Sequence, residues 1–434
     1  MVIMATSALL CTATAAWVGW NGAADARISL HADAVAITSG GERVAVPIGS
    51  GDVLLPGSRV LTEADDAQEL AAEQRSWVAA GTMPDIGPEY ADMIQMALLD
   101  LHTLTLKNGA TLAGWSSSWR YVWPRDAAFV ATALARTDHA ADAQQIMLFL
   151  EAVQQNDGLF YGRYRPDGVG AGADGRGIQL DGTGWALWAI AQIAATLEPT
   201  QRAAFLDSVK PLLVRSTSAA LKLIDNEQTL PPPSPDFWEL DEQELTLGTA
   251  APLLAGLQAA RDVYDELGWT ATASRAAQGS RRLSLAIEKA FGSAGYPRYP
   301  HGTEPDASIM FLLPPIGSTI DPAVVSAWQS AQEMMRRPAG GLAPGVGWRD
   351  DGVSWTPPTA MYAMTSAALG ADEAALETLS WLNVHRTALG ALPEKVLSNG
   401  RPAAVAPLGW TAAIVIIAAD ELATHRAGIR SAPE

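Results

Sequence analysis

The chain has 434 residues and 48% hydrophobic content, enough for one large core or two to three modest domains. Its formal net charge of −18 argues against nucleic acid and against anionic membrane surfaces, since both are met by basic patches. A single cysteine excludes a disulfide framework, and six scattered histidines without an HExxH pattern argue against a zinc enzyme.

Residues 2–20 are apolar and uncharged, and the small-residue run "GAADA" ends at Ala26. Residues 1–26 are therefore expected to be a signal peptide or, as the alternatives, a membrane anchor or a docked apolar helix. This makes the protein secreted or extracytoplasmic, with the membrane touched only through such an anchor. Residues 27–64 alternate apolar and polar positions around "SGGE" and "GSGD" turns, which predicts a small β segment of two to four short strands. Helical periodicity dominates residues 65–434. One helix is expected at "DAQELAAEQRSWVAA". The next, "PEYADMIQMALLDLHTLTL", has Pro88 near its start and Asn108-Gly109 after its end. About a dozen apolar segments follow this pattern, near 89–107, 125–136, 139–154, 182–196, 199–224, 244–266, 270–290, 306–313, 322–336, 358–369, 372–387 and 408–424. Short and long connections alternate, which suggests an all-α ring of helix hairpins. The long loops, 108–124, 155–181, 226–243, 291–305, 338–357 and 388–407, would gather at one end of it.

Fifteen tryptophans are about two to three times the average usage. Several lie in or beside the long loops: Trp115, Trp119, Trp123, Trp185, Trp238, Trp348, Trp355 and Trp410. A rigid indole packs on the apolar face of a pyranose while its N–H bonds a hydroxyl, so loop tryptophans among charges favour a carbohydrate pocket. Trp188, within an apolar helix, reads as core.

Sugar hydrolysis needs two carboxylates. "DFWELDEQE" offers Asp236, Glu239, Asp241, Glu242 and Glu244; "GALPEKV" offers Glu394; "QLDGTGWALW" offers Asp181, which also suits a helix N-cap. Glu239 after Trp238 and Glu394 after Pro393 are the stronger candidates, because an adjacent indole desolvates a carboxyl and favours its acid form. In "SWRYVWPRDAAF", Arg125 and Asp126 at a helix start behind Pro124 form either a sugar clamp or an ordinary ion pair.

The segments "RYVWPRDAAFVATALA", "DGTGWALWAI", "DFWE", "DASIMFLLPP" and "GALPEKV" occur in the order found in glycoside hydrolase family fifteen, the glucoamylase and glucodextranase family. The resemblance spans residues 85–425, and "WPRDAAF" and "LPE" carry most of its specificity. It implies an (α/α)6 barrel and an exo-acting inverting hydrolase of α-linked glycosides, with an oligosaccharide or glycoside as substrate and no required cofactor. Some members carry structural calcium. By motif, Glu239 would be the general acid and Glu394 the general base, separated by about 6.5–9.5 Å to admit a water. Arg125 and Asp126 would hold the terminal sugar, Trp123, Trp185 and Trp238 would line or support the pocket, and Asp181 would join them.

Three features depart from the family. "GGLAPGVGWRDDGVSW" has Ala343-Pro344 where an Arg-Tyr pair is expected, leaving Arg349 or the "RYP" at 298–300 as substitutes. Leu240 interrupts the usual glutamate doublet, and the N-terminal β-sandwich is reduced to about 35 residues. Two other readings stand beside the hydrolase: a phosphorylase or lyase on the same barrel, and a non-catalytic glycan-binding protein.

Overall fold

The computed structural model describes residues 28–51, 53–170 and 176–431. The expected leader or anchor at 1–26 lies outside the described residues. Among the described residues no helix is long and apolar enough to cross a membrane.

The chain begins with a hairpin, β1 (Ala34–Ile37) paired antiparallel to β2 (Arg43–Val46). Thirteen α-helices follow among the described residues. They are α1 (Ala67–Ala79), α2 (Pro88–Leu104), α3 (Pro124–Arg136), α4 (Ala140–Val153), α5 (Asp181–Thr196), α6 (Pro199–Ser208) and α7 (Lys210–Leu223). The rest are α8 (Leu247–Glu266), α9 (Thr270–Phe291), α10 (Pro322–Met335), α11 (Thr356–Ala368), α12 (Asp372–Val384) and α13 (Gly409–Ser431). A 3-10 helix spans Ala307–Leu312 between α9 and α10.

Contacts between these elements close a ring. Helix α3 packs on α5, α5 on α8, α8 on the 3-10 helix, that helix on α11, α11 on α13, and α13 back on α3. A second layer covers them: α4 lies on α3, α7 on α5, α9 on α8, α10 on the 3-10 helix, α12 on α11 and α2 on α13. This is an (α/α)6 toroid, an all-α architecture as expected, with one inner position reduced to six residues.

Composition assigns the layers. An inner helix has neighbours on every side, so its whole surface must be apolar or small. Helix α3 is buried at every residue from Pro124 to Ala135, and α8 from Leu247 to Leu257. Outer helices bury one stripe only: α12 buries Ala375, Leu379 and Leu382. Helices α5 and α8 meet backbone to backbone. A Cβ on Gly184 would lie 2.2 Å from the Pro252 carbonyl oxygen, so only glycine permits that approach.

Two expected elements differ. The segment 199–224 is two helices, because Pro211 suits the first turn of a new helix and not the middle of a long one. The segment near 306–313 is a 3-10 helix, capped by Asp306 and halted by Pro314-Pro315.

The N-terminal hairpin is fastened to the toroid by polar anchors. Arg59 and Asp100 form a fully buried two-pronged pair at 2.6 and 2.8 Å, and Arg59 also donates to the Leu389 carbonyl. His31 bonds Ser116 and sets its ring edge on Trp119. The hairpin region thereby braces the loop that carries the indole of Trp119.

Candidate active site

Each of the six long loops precedes an inner element of the ring, so all six converge where the inner elements begin. There five of them, all but 291–305, line a cavity of about 310 Å³. Its floor is the first turn of α3. Pro124 presets the helical backbone at the first position, so Arg125 and Asp126 emerge in a fixed direction. Pro357 and Pro358 do the same for α11, and Leu408 and Trp410 flank the start of α13.

Arg125 is buried. It donates from Nε to Asp126 Oδ1 at 3.1 Å, its Nη1 reaches Glu239 Oε1 at 3.4 Å, and its guanidinium lies 4.4 Å above the Trp410 ring. Burial pulls this group down, but Asp126, Glu239 and Asp181 outweigh it and hold the guanidinium above its ordinary range. Burial pushes the Asp126 carboxyl up to about 6, against the pull of Arg125.

Glu239 is presented by a strained turn. Its φ is +57°, a left-handed backbone that costs a non-glycine residue about 1–2 kcal/mol. Asp236 supplies the compensation. Its carbonyl accepts from the Glu239 amide at 2.9 Å and its Oδ1 from the Trp238 amide at 2.9 Å. The buried Asp236 is itself held by Thr246 at 2.7 Å and Arg298 at 2.9 Å. Asp236 is therefore an anchor of the loop. Glu242 has a similar part, taken up by Arg298 at 2.6 Å and the Tyr299 hydroxyl at 2.8 Å.

Glu394 enters from the opposite part of the ring. Its loop leads to α13, the sixth inner element, whereas the loop of Glu239 leads to α8, the third. It directly precedes the strand Lys395–Val396, which lies between the strands Ser354–Trp355 and Pro402–Ala403. The Glu394 amide donates to the Val405 carbonyl at 2.8 Å and its carbonyl accepts from the Thr356 amide at 3.0 Å. Its Oε1 accepts from Trp119 Nε1 at 3.4 Å. Its Oε2 has no hydrogen-bond partner among the described residues, although the Lys395 ammonium stands at 3.4 Å, within ion-pair reach.

Trp238, Trp348 and Trp355 form a chain of edge-on indoles, 4.8 and 5.4 Å between centroids. The Arg298 guanidinium backs the first at 3.9 Å and the Lys395 ammonium faces the last at 4.1 Å. Five indoles that line the cavity, Trp123, Trp238, Trp348, Trp355 and Trp410, have buried N–H groups with no acceptor among the described residues. A buried donor left without a partner costs about 1–3 kcal/mol, so each of these indoles has a hydrogen bond still to make.

The cavity thus brings together Trp123, Arg125, Asp126, Trp238, Glu239 and Glu394. Three expected residues stand elsewhere. Trp185 is wholly buried beneath the floor, packed on Phe129 and Phe311. Asp181 lies beside it, accepting from Trp185 Nε1 at 3.1 Å, and makes no N-cap bond. Arg349 is exposed, and its loop is tied down by Arg337 donating to the Arg349 carbonyl. The wall at Pro344 is apolar, and Arg298 of "RYP" sits behind Trp238. The arginine that reaches the cavity from a loop is Arg176, which the sequence reading passed over along with Lys395.

Burial pushes Asp181 up to about 7. Its unfolded value is near 3.9, so the folded chain retains a proton that the unfolded chain has lost between these pH values. The stability this group contributes is full below about pH 4 and is lost as the pH rises through 7. Asp181→Asn keeps the acceptor for Trp185 and removes the titration. The fall in stability between pH 5 and 8 should become shallower in the variant, by about 3 kcal/mol, since about two pH units of the titration lie above pH 5 at ~1.4 kcal/mol per unit. Thermal unfolding across that range checks this, and parallel curves for both proteins would contradict it.

No protein-family model matches the sequence, and comparison with curated proteins gives no match. Solved structures do match. A glycosidase variant in complex with glucose shares 21% identity at a TM-score of 0.65, over 77% of this chain and 97% of that one. A bacterial glucoamylase complexed with acarbose shares 16% at 0.67, over 83% and 59%. The glucoamylase of Saccharomycopsis fibuligera shares 14% at 0.59, over 80% and 98%. At these identities the likeness establishes the fold. Among the described residues no group of three or more His, Cys, Asp or Glu could hold a metal ion.

Proposed function

We propose that the protein is an exo-acting glycoside hydrolase that removes a terminal α-linked sugar, an α-glucoside in the first instance, with inversion at the anomeric carbon. The observation that carries this reading is one cavity that brings Glu239 and Glu394 together within a wall that includes Trp123, Trp238, Trp348, Trp355 and Trp410. A sugar suits such a wall, because its apolar ring face packs on indole and its hydroxyls meet the carboxyls. The glycosidases and glucoamylases of like fold, two of them with glucose or acarbose bound, support the same class.

Glu239 is the general acid that protonates the leaving oxygen, and Glu394 is the general base that takes a proton from water. Their loops lead to opposite members of a six-membered ring, which suits a pair with room for a water between them. Asp126 accepts hydroxyl protons of the innermost sugar while Arg125 fixes its carboxylate. The Arg125–Asp126 floor closes the cavity beneath that sugar, which suits attack from a chain end. Asp181 and Trp185 act from below, by packing and charge against Arg125. Export and the division into 27–64 and 65–434 belong to the same proposal, resting on the apolar run before Ala26 and on the compositional change near residue 64.

A panel of α-1,4, α-1,6 and α,α-1,1 glucosides, aryl glucosides and non-glucose glycones tests the reading. Turnover of an α-glucoside is expected. Turnover confined to another glycone would assign the apolar wall at Pro344 to altered sugar choice, and none on any member would contradict a hydrolase.

A further inference from the structure

The loop 291–305 is the one long loop that does not line the cavity. It carries Arg298, whose side chain is 3% exposed. Three carboxylates converge on this guanidinium. Nη2 donates to Asp236 Oδ1 at 2.9 Å and to Glu242 Oε1 at 2.6 Å, and Nη1 donates to Asp306 Oδ2 at 2.6 Å. The face of the same group lies 3.9 Å from the ring centroid of Trp238. The backbone of Arg298 is fixed as well. Its carbonyl accepts from the Leu247 amide at the start of α8, and its amide donates to the Glu304 carbonyl, both at 2.9 Å.

These contacts bear on two parts of the cavity wall. Asp236 holds the left-handed turn of Glu239, through its own carbonyl and through the Trp238 amide. The Glu239 carboxyl is met within the cavity by Arg176 at 2.6 Å and Arg125 at 3.4 Å, so Arg298 acts on the turn and not on the carboxyl. Asp306 caps the 3-10 helix by accepting from the Ser308 amide at 2.9 Å. Its neighbours are zipped to the loop 338–357. The Ala307 amide donates to the Pro344 carbonyl and the Val346 amide to the Pro305 carbonyl, both at 2.9 Å. Gly345 packs so closely here that a Cβ would stand 2.5 Å from both the Trp238 ring and the Asp306 side chain. One side chain thus ties the turn that presents Glu239 to the loop that supplies Pro344 and Trp348. A general acid must meet the leaving oxygen at hydrogen-bond distance, and a misplacement of about 1 Å can cost roughly 10²-fold.

We propose that Arg298 is a positioning residue for acid catalysis, which sets the place of Glu239 relative to the Pro344–Trp348 wall from behind Trp238. The inference rests on the assignment of Glu239 as general acid. Arg298 stands outside the cavity lining, so it acts through Asp236 and Trp238. Lysine cannot take this place. Its ammonium keeps the charge, but it lacks the planar fork that serves carboxylates from two elements and the flat face that stacks on an indole.

The test measures kcat and KM of wild type, Arg298→Lys and Glu242→Gln on three kinds of substrate, with circular dichroism to report folding. The substrates are an α-linked disaccharide, the corresponding glycosyl fluoride and a set of aryl α-glucosides graded by leaving-group acidity. Arg298→Lys should lower kcat on the disaccharide by about 10²-fold. On the fluoride, which departs without a proton from Glu239, the loss should stay below about tenfold. Across the aryl glucosides its kcat should fall more steeply than that of wild type as the leaving group becomes less acidic. Glu242→Gln keeps the side-chain shape and weakens one arm of the cluster, so it should show a smaller loss of the same pattern. It decides the question where Arg298→Lys does not fold. Equal losses on all substrates, an unchanged dependence on the leaving group, or a loss confined to raised KM would overturn the proposal. Glu239→Gln is measured beside them. If it too shows no dependence on the leaving group, the acid assignment fails and this inference with it. If it shows that dependence and neither other variant does, only the role of Arg298 fails.

Discussion

Glu239→Gln is expected to lower kcat on a disaccharide by roughly 10²–10⁴-fold, the usual worth of a general acid. The amide keeps the shape of the side chain and can still accept from Arg176 through its oxygen, so sugar binding should persist. The loss should depend on the leaving group. An alkoxide leaving group needs the proton; fluoride does not. On a glycosyl fluoride the variant should keep most of its rate, within about tenfold. Near-full activity on both substrates would remove Glu239 from the mechanism. An equal loss on both would reduce it to a support of the strained turn that Asp236 holds.

Glu394→Gln should lose a comparable factor, about 10²–10⁴-fold, but on both substrates alike. Water must be activated whatever leaves, so a good leaving group cannot compensate. The site suits this division of work. Glu394 Oε2 is buried and has no hydrogen-bond partner among the described residues, so a water bound there would be its first. Trp119 and Lys395 steady the carboxylate from either side. Full disaccharide turnover by the variant would contradict the base assignment. Turnover restored by added phosphate would indicate phosphorolysis in place of hydrolysis.

Much of this arrangement could be read from residues in order. Inner helices such as α3 and α5 are apolar or small on every face because the ring surrounds them, and that shows as uninterrupted runs around "AAFVATALA" and "GWALWAIA". Loops dense in tryptophan and carboxylate stood out because neither a core nor a solvated turn needs both. Local chemistry also had limits. Pro211 was the visible sign of the break between α6 and α7, yet the apolar pattern across it continued. Asp181 looked like a cap, but its acceptor serves an indole one turn along. Arg349 was close in sequence to the gap at Ala343-Pro344 and turned outward all the same. Arg176 sits in a glycine-rich stretch without periodicity, and its partner lies 63 residues away, so only the folded chain reveals the pair. The left-handed backbone of Glu239 was equally hidden, since the residue that stabilises it is the side chain of Asp236.

The most direct test of the central claim is the anomeric form of the first product, read by NMR within the first minutes of hydrolysis of an α-glucoside. The account predicts β-glucose, which then mutarotates toward equilibrium, because water activated by Glu394 attacks the face opposite the leaving group. Initial release of α-glucose would contradict it, since retention requires a covalent intermediate and a closer carboxylate pair than loops on opposite sides of this ring would supply.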